Sequence, residues 1–221
     1  MMIFVGIMTA LLLIVTGYIY TCYYLNDIDL FSKNTDVLKL TKNKIIYLVV
    51  AVISAITLLI LFEFLYQLHW LSSVRLISLA MILFPIGAID ARTMKIPNKI
   101  LLFASVLRIL LFIPELFISV EMTLMNFKEC LFAGLIFGAF FFIIALIFKN
   151  SIGMGDVKLF AIIGFYQGIW GGANSIFFSL LVSFVLSVCL LMTKKKSRND
   201  TISFGPSILI GTIIAIGMTG M

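Results

Sequence analysis

The sequence predicts an all-α integral membrane protein with about eight transmembrane helices. Three observations carry this. Hydrophobic residues make up 62% of the 221 positions and charged residues only 12%, against about half and roughly a quarter in a soluble domain; the mean hydropathy is +1.20. Apolar stretches long enough to cross a bilayer, which takes about 20 residues, recur along the whole chain. The basic residues fall in alternate loops, as they do when positive charge sets orientation.

In chain order, residues 3–25 form the first expected span. No basic residue precedes it and no small-residue cleavage site closes it, so it reads as a retained helix and not a signal peptide. A polar loop over 26–44 leads to a second span at 45–66, then to a short loop holding the only histidine, His69. Further spans are expected at 74–89, 99–117, 130–148, a short glycine-rich 157–171, 174–192 and 204–220. This divides the chain into a two-helix extension with a cytoplasmic loop, residues 1–73, and a six-helix core, residues 74–221. Gly134 and Gly138 in the fifth span form a small-xxx-small pair suited to close helix packing.

The eight-span pattern puts Lys33, Lys39, Lys42 and Lys44, then Arg92, Lys95 and Lys99, then Lys149 and Lys158, then Lys194, Lys195, Lys196 and Arg198 on one face. These are 13 of the 16 basic residues. That face is expected to be cytoplasmic, with both termini outside, in a multi-pass protein of the cell membrane. The net charge of +6 therefore reads as topology and contact with the lipid bilayer, not as a nucleic-acid surface. Cys22, Cys130 and Cys189 lie far apart without a CxxC pair, so no metal site, disulfide framework or cofactor is expected.

The same pattern brings two carboxylates to one surface. Asp90 ends the third span, and Asp156 follows Gly153-Met154-Gly155 in a break with two glycines in the apolar series. Two facing carboxyl groups titrate as a unit, one retaining the proton while the other acts as base, which is the chemistry of an aspartic protease. Gly153 and Gly155 are expected to leave a bare surface for an incoming peptide backbone. Asp156, near the start of its helix, is the expected base, favoured by the helix dipole. Asp90, at a helix C-terminus where the dipole opposes negative charge, is the expected acid. Pro97 and Pro206 are positioned to start helices.

The Gly153-Met154-Gly155-Asp156 stretch, continuing into Val157-Lys158-Leu159, resembles the second catalytic motif of the prepilin peptidase family of GxGD membrane aspartic proteases. Asp90-Ala91-Arg92-Thr93-Met94-Lys95-Ile96-Pro97-Asn98 resembles its first motif, and Phe204-Gly205-Pro206 a short motif before its last helix. The resemblance covers about residues 74–221. It implies cleavage, at the cytoplasmic membrane face, of the short basic leader of type IV prepilin-like membrane proteins, with Asp90 and Asp156 catalytic. Larger members carry two CxxC pairs in an N-terminal loop and also methylate the new N-terminus. Residues 1–73 show neither the cysteines nor the usual N-terminal sequence, so the resemblance is to the peptidase-only branches and methyl transfer is not expected.

Other residues invite weighing. Arg108 lies deep in the fourth span and is expected to pair with Glu63 or Glu115. Lys158, Arg92 and Lys95 are either headgroup anchors or contacts for the dyad or an acidic substrate residue. His69 falls on the face away from the aspartates. Three competing readings remain at this stage, one of them a peptidase relic serving as a structural membrane partner, which the intact aspartates argue against. A presenilin-like intramembrane protease also uses a GxGD aspartate, but here Ile89 precedes Asp90 and the late motif is Phe204-Gly205-Pro206. A small transporter or channel would place its site near the midplane, whereas both aspartates fall at one face.

Overall fold

The computed structural model describes residues 2–20, 42–148, 152–193 and 202–220. Much of the basic evidence for topology lies outside the described residues: Lys33, Lys39, Lys149, Lys194, Lys195, Lys196 and Arg198. Cys22 and Asn150 lie outside them too. The described chain is helical throughout, with no strand: α1 (Met2–Tyr20), α2 (Lys42–Ile60, prolonged by a π turn at Leu61–Leu65), α3 (Trp70–Thr93), α4 (Asn98–Leu116), α5 (Val120–Ile147), α6 (Met154–Met192) and α7 (Gly205–Thr219). Four stretches, Ile45–Leu65, Trp70–Thr93, Val120–Ile147 and Met154–Met192, are helical, long and apolar enough to cross a membrane.

The packing is that of a protein whose solvent is lipid. Seventeen of the 24 residues of α3 are buried, although its mean hydropathy of 1.8 is the lowest of the four candidate spans. Only five of the 28 residues of α5 are buried, at a mean hydropathy of 2.8. The least apolar of the four stretches is thus the most buried, and large side chains such as Phe117, Trp170 and Phe184 stand on the outer surface. In water such a surface would be an aggregation hazard; in a bilayer it is the favourable one.

α3 is the central rod. α1, α2, α4, α6 and α7 all pack on it, and α5 closes the far side against α6 through Gly134 and Gly138. A Cβ on Gly134 would lie 2.9 Å from the Ala161 carbonyl oxygen, and one on Gly138 3.1 Å from Ala161 Cβ, so the small residues of α5 serve packing. α1 and α2 join the same core as α3: Tyr20 stacks on Tyr47 at 4.0 Å, and Tyr47 meets Phe84 edge-on at 6.1 Å. α3 begins at Trp70, ahead of the position expected for the third span, with His69 as its N-cap accepting the Leu71 N–H.

α6 is two antiparallel arms. Residues eight apart in a straight helix are about 12 Å apart along its axis. Yet Ser175 Oγ donates to Gln167 Oε1 at 2.7 Å, and a Cβ on Gly172 would lie 3.2 Å from Gly164 Cα. The reversal is at Gly168, the one non-helical residue inside the element, with φ 74° and ψ −168°, a conformation essentially reserved for glycine. The two helices expected at 157–171 and 174–192 are therefore present as the arms of a hairpin, but its turn is at Gly168 and not in the 171–174 stretch. Gly171 and Gly172 instead continue the second arm, and both are buried.

Candidate active site

Asp90 is on the last turns of α3, and Asp156 is in the first turn of α6. Sixty-six positions separate them, but both line one cavity of about 570 Å³, close enough for the charge of Asp90 to act on Asp156. The wall is completed by Phe141 of α5, Phe160 of the first arm of α6, Ser183 and Ser187 of the second arm, and Ser203 and Phe204 ahead of α7. No lysine or arginine is among the described lining residues.

Each carboxyl group is held by backbone donors. The N–H of Gly205 donates to Asp90 Oδ2 at 2.7 Å, and the N–H of Phe204 is directed at the same group. Gly205 opens α7, so the positive end of that helix dipole points at Asp90. The N–H of Gly153, the N-cap of α6, is directed at Asp156. The asymmetry expected from sequence, a dipole favouring Asp156 and opposing Asp90, is thus not what the fold presents. Asp90 does sit at the C-terminal end of its own helix, but the N-terminus of α7 is laid against it, and both carboxyl groups meet a helix start.

The glycines also serve local packing. A Cβ on Gly155 would lie 2.9 Å from Ile96 Cβ, and one on Gly153 3.0 Å from Asp156 Oδ2. Gly155 is met by the α3–α4 loop and Gly153 by the Asp156 carboxyl group, while Gly153 itself is exposed and lines the cavity. Gly205 is under the same constraint: a Cβ there would meet Asp90 Cβ at 2.8 Å and Oδ2 at 2.9 Å. All three glycines allow the loops and carboxyl groups to approach closely.

The remaining candidates divide. Pro97 is the N-cap of α4 and Pro206 is in the first turn of α7, so both shape helix starts next to the site. Arg92 and Lys95 are exposed at the same end of the bundle. Lys158 turns away from the dyad; its Nζ donates to Asn98 Oδ1 at 2.9 Å and lines a separate hollow. Arg108 is fully buried and pairs with Glu115 at 3.3 Å, not with Glu63. His69 caps the opposite end of α3.

The sequence reading missed the cavity wall. Phe160 is one turn from Asp156, and Ser183 and Ser187 continue a serine at every fourth position from Ser175, a spacing that marks one face. That signal was present, but it needed the hairpin at Gly168 to bring it back to Asp156.

A family model described as the type IV leader peptidase family matches residues 77–192, just over half of the chain and inclusive of both aspartates. Over 134 residues the chain is 32% identical to the prepilin leader peptidase/N-methyltransferase of Bacillus subtilis (strain 168), an alignment covering 59% of this chain and 50% of that protein. The chain thus spans about half the length of this curated relative. No solved structure matches.

Proposed function

Because the chain belongs to the type IV leader peptidase family, we propose that it is an integral-membrane aspartic endopeptidase with Asp90 and Asp156 as its catalytic pair. The observation that carries this reading is the convergence of the two carboxyl groups on one cavity, with backbone donors on each and no basic side chain among the described lining residues. A cation paired with either carboxylate would tie it up as a salt bridge. Backbone N–H groups orient it and leave an oxygen for a water or a substrate.

The reaction follows from the pair. One carboxylate takes a proton from a water held between the two groups, and the water oxygen attacks the scissile carbonyl carbon. The other group, protonated, donates to the carbonyl oxygen. The tetrahedral intermediate then collapses, the C–N bond breaks, and the leaving amine takes up a proton from the pair. Both aspartates have backbone donors, so the substrate decides which one holds the proton.

The substrate class we propose is a prepilin-like membrane protein, cut at its short basic leader on the cytoplasmic face of the cell membrane, with both termini of the chain outside and the catalytic unit in residues 74–221. Methyl transfer is left out, since residues 1–73 lack paired CxxC motifs. The test is co-expression with a prepilin-like substrate and a gel shift on cleavage. The wild type shifts the substrate, and Asp90→Asn and Asp156→Asn each abolish the shift at normal expression. Retained cleavage in either variant overturns the dyad, and a methylated product N-terminus in the mass spectrum overturns the peptidase-only reading.

A further inference from the structure

The helix arm that carries Asp156 has a second concave side. Asp156 and Phe160 face the aspartate cavity, while Lys158, Ala161 and Ile162 face a different hollow between α4 and α6, of about 530 Å³. A further hollow of about 200 Å³ shares Ser105, Ala161 and Ile162 with it and extends it to Phe165. From Lys158 to Phe165 is seven residues, about 10 Å along the helix axis, against roughly 15 Å for the hydrocarbon of one leaflet. The groove thus runs lengthwise, from the aspartate end of the bundle toward the bilayer interior.

Its two ends differ in chemistry. At the mouth stand Lys99 and Lys158, both exposed, with the Lys158 Nζ steadied by Asn98. Asn98 and Lys99 are the first two residues of α4, where backbone N–H groups have no intrahelical acceptor and the dipole is positive. Below the mouth the walls are Leu102, Leu131, Leu135 and Ile162. Among the described residues no acidic side chain lines either hollow, and Asp156 faces the other way.

The geometry points to a binding site for an anionic phospholipid, with the phosphate on Lys99, Lys158 and the start of α4, and one acyl chain in the slot between α4 and α6. A basic mouth over an apolar slot, open to the bilayer side, matches an anionic headgroup and its tail together. A zwitterionic lipid brings its own cation to the lysines and loses that part of the attraction. The inference stands on the groove and its charge, independently of the proposed peptidase activity.

The test is native mass spectrometry of the full chain in detergent, titrated with phosphatidylglycerol or phosphatidylcholine of identical acyl chains. One phosphatidylglycerol binds saturably and about tenfold more tightly than phosphatidylcholine, given two lysines near the headgroup. Lys99→Ala with Lys158→Ala brings the two lipids within about twofold. Ser105→Trp, which fills the slot and spares the lysines, removes the tight site. Arg92→Ala with Lys95→Ala, at the same end but outside the groove, keeps the preference. Equal binding in the wild type, a preference that survives loss of Lys99 and Lys158, or an equal loss in the Arg92 and Lys95 variant overturns the site. So does displacement of the lipid by a prepilin-like peptide, which would assign the groove to substrate.

Discussion

Charged groups collect at two levels of this bundle, and the two are built in opposite ways. At one end Asp90 and Asp156 share a cavity, close enough for the charge of one to act on the other, and the donors directed at them are backbone N–H groups. Deeper in, Arg108 is wholly buried, pairs with Glu115 at 3.3 Å and donates its Nε to the Phe165 carbonyl. Arg75 reaches the same Glu115 at 3.8 Å. The rings of Phe127 and Phe165 cover the Arg108 guanidinium at 5.7 and 5.8 Å. Charges in apolar helices are costly and by default suggest function, yet these two sets differ. The deep set brings unlike charges together, two arginines on one glutamate, and serves packing. The aspartates are like groups left together, an arrangement that costs stability and that the proposed peptidase chemistry uses.

The sharpest break of that comparison is in the aspartates. Asp90→Asn or Asp156→Asn lowers cleavage by about 10³-fold or more, as loss of a general acid or base does, while thermal unfolding in detergent stays unchanged or rises because a like-charge contact is gone. The deep layer responds the other way. Glu115→Ala strands the buried Arg108 charge and costs about 3–5 kcal/mol of stability, read as a lower unfolding midpoint. Arg108→Met combined with Glu115→Leu recovers part of the loss, because Arg108 is removed along with its partner while Arg75 still loses its contact with Glu115.

Smaller effects sharpen the distinction. Gly205→Ala pushes a Cβ into Asp90; overpacking of this kind costs about 1–3 kcal/mol, and cleavage falls further than stability because the carboxyl group is what moves. Gly168→Ala strains the hairpin turn by about 1–3 kcal/mol and crowds Glu129, whose Oε1 a Cβ would meet at 3.1 Å; here stability and cleavage fall together. Lys158→Ala, exposed and turned from the dyad, changes stability by about 0.5 kcal/mol or less and cleavage under about twofold. A large fall in cleavage for Lys158→Ala would return that lysine to the aspartates.

The comparison also shows how the site could be read and where the reading stopped. Asp90 and Asp156 stood out because each breaks an apolar run, and because counting lysines and arginines by loop placed them on one face without reference to their chemistry. Glu115 was one of two candidate partners for Arg108; choosing between them needed the packing of α3, α4 and α5. The glycines were visible as breaks, but their purpose was not, because a bare Cα does not say which neighbour will fill the space. Ile96 fills it at Gly155 and Asp156 fills it at Gly153.

By itself the sequence determined the solvent, the helical class and the two carboxylates. Each follows from local properties: apolar content, segment length, and ionisable residues at segment ends. Tertiary structure alone decided the rest. The reversal at Gly168 sets the second arm of α6 beside the first and brings Ser183 and Ser187 to the cavity. The start of α7 meets the end of α3, so that Asp90, opposed by its own helix dipole, is held by another. Both depend on which surfaces touch, and contact between segments more than a hundred residues apart is a property of the packed bundle, not of any stretch of chain.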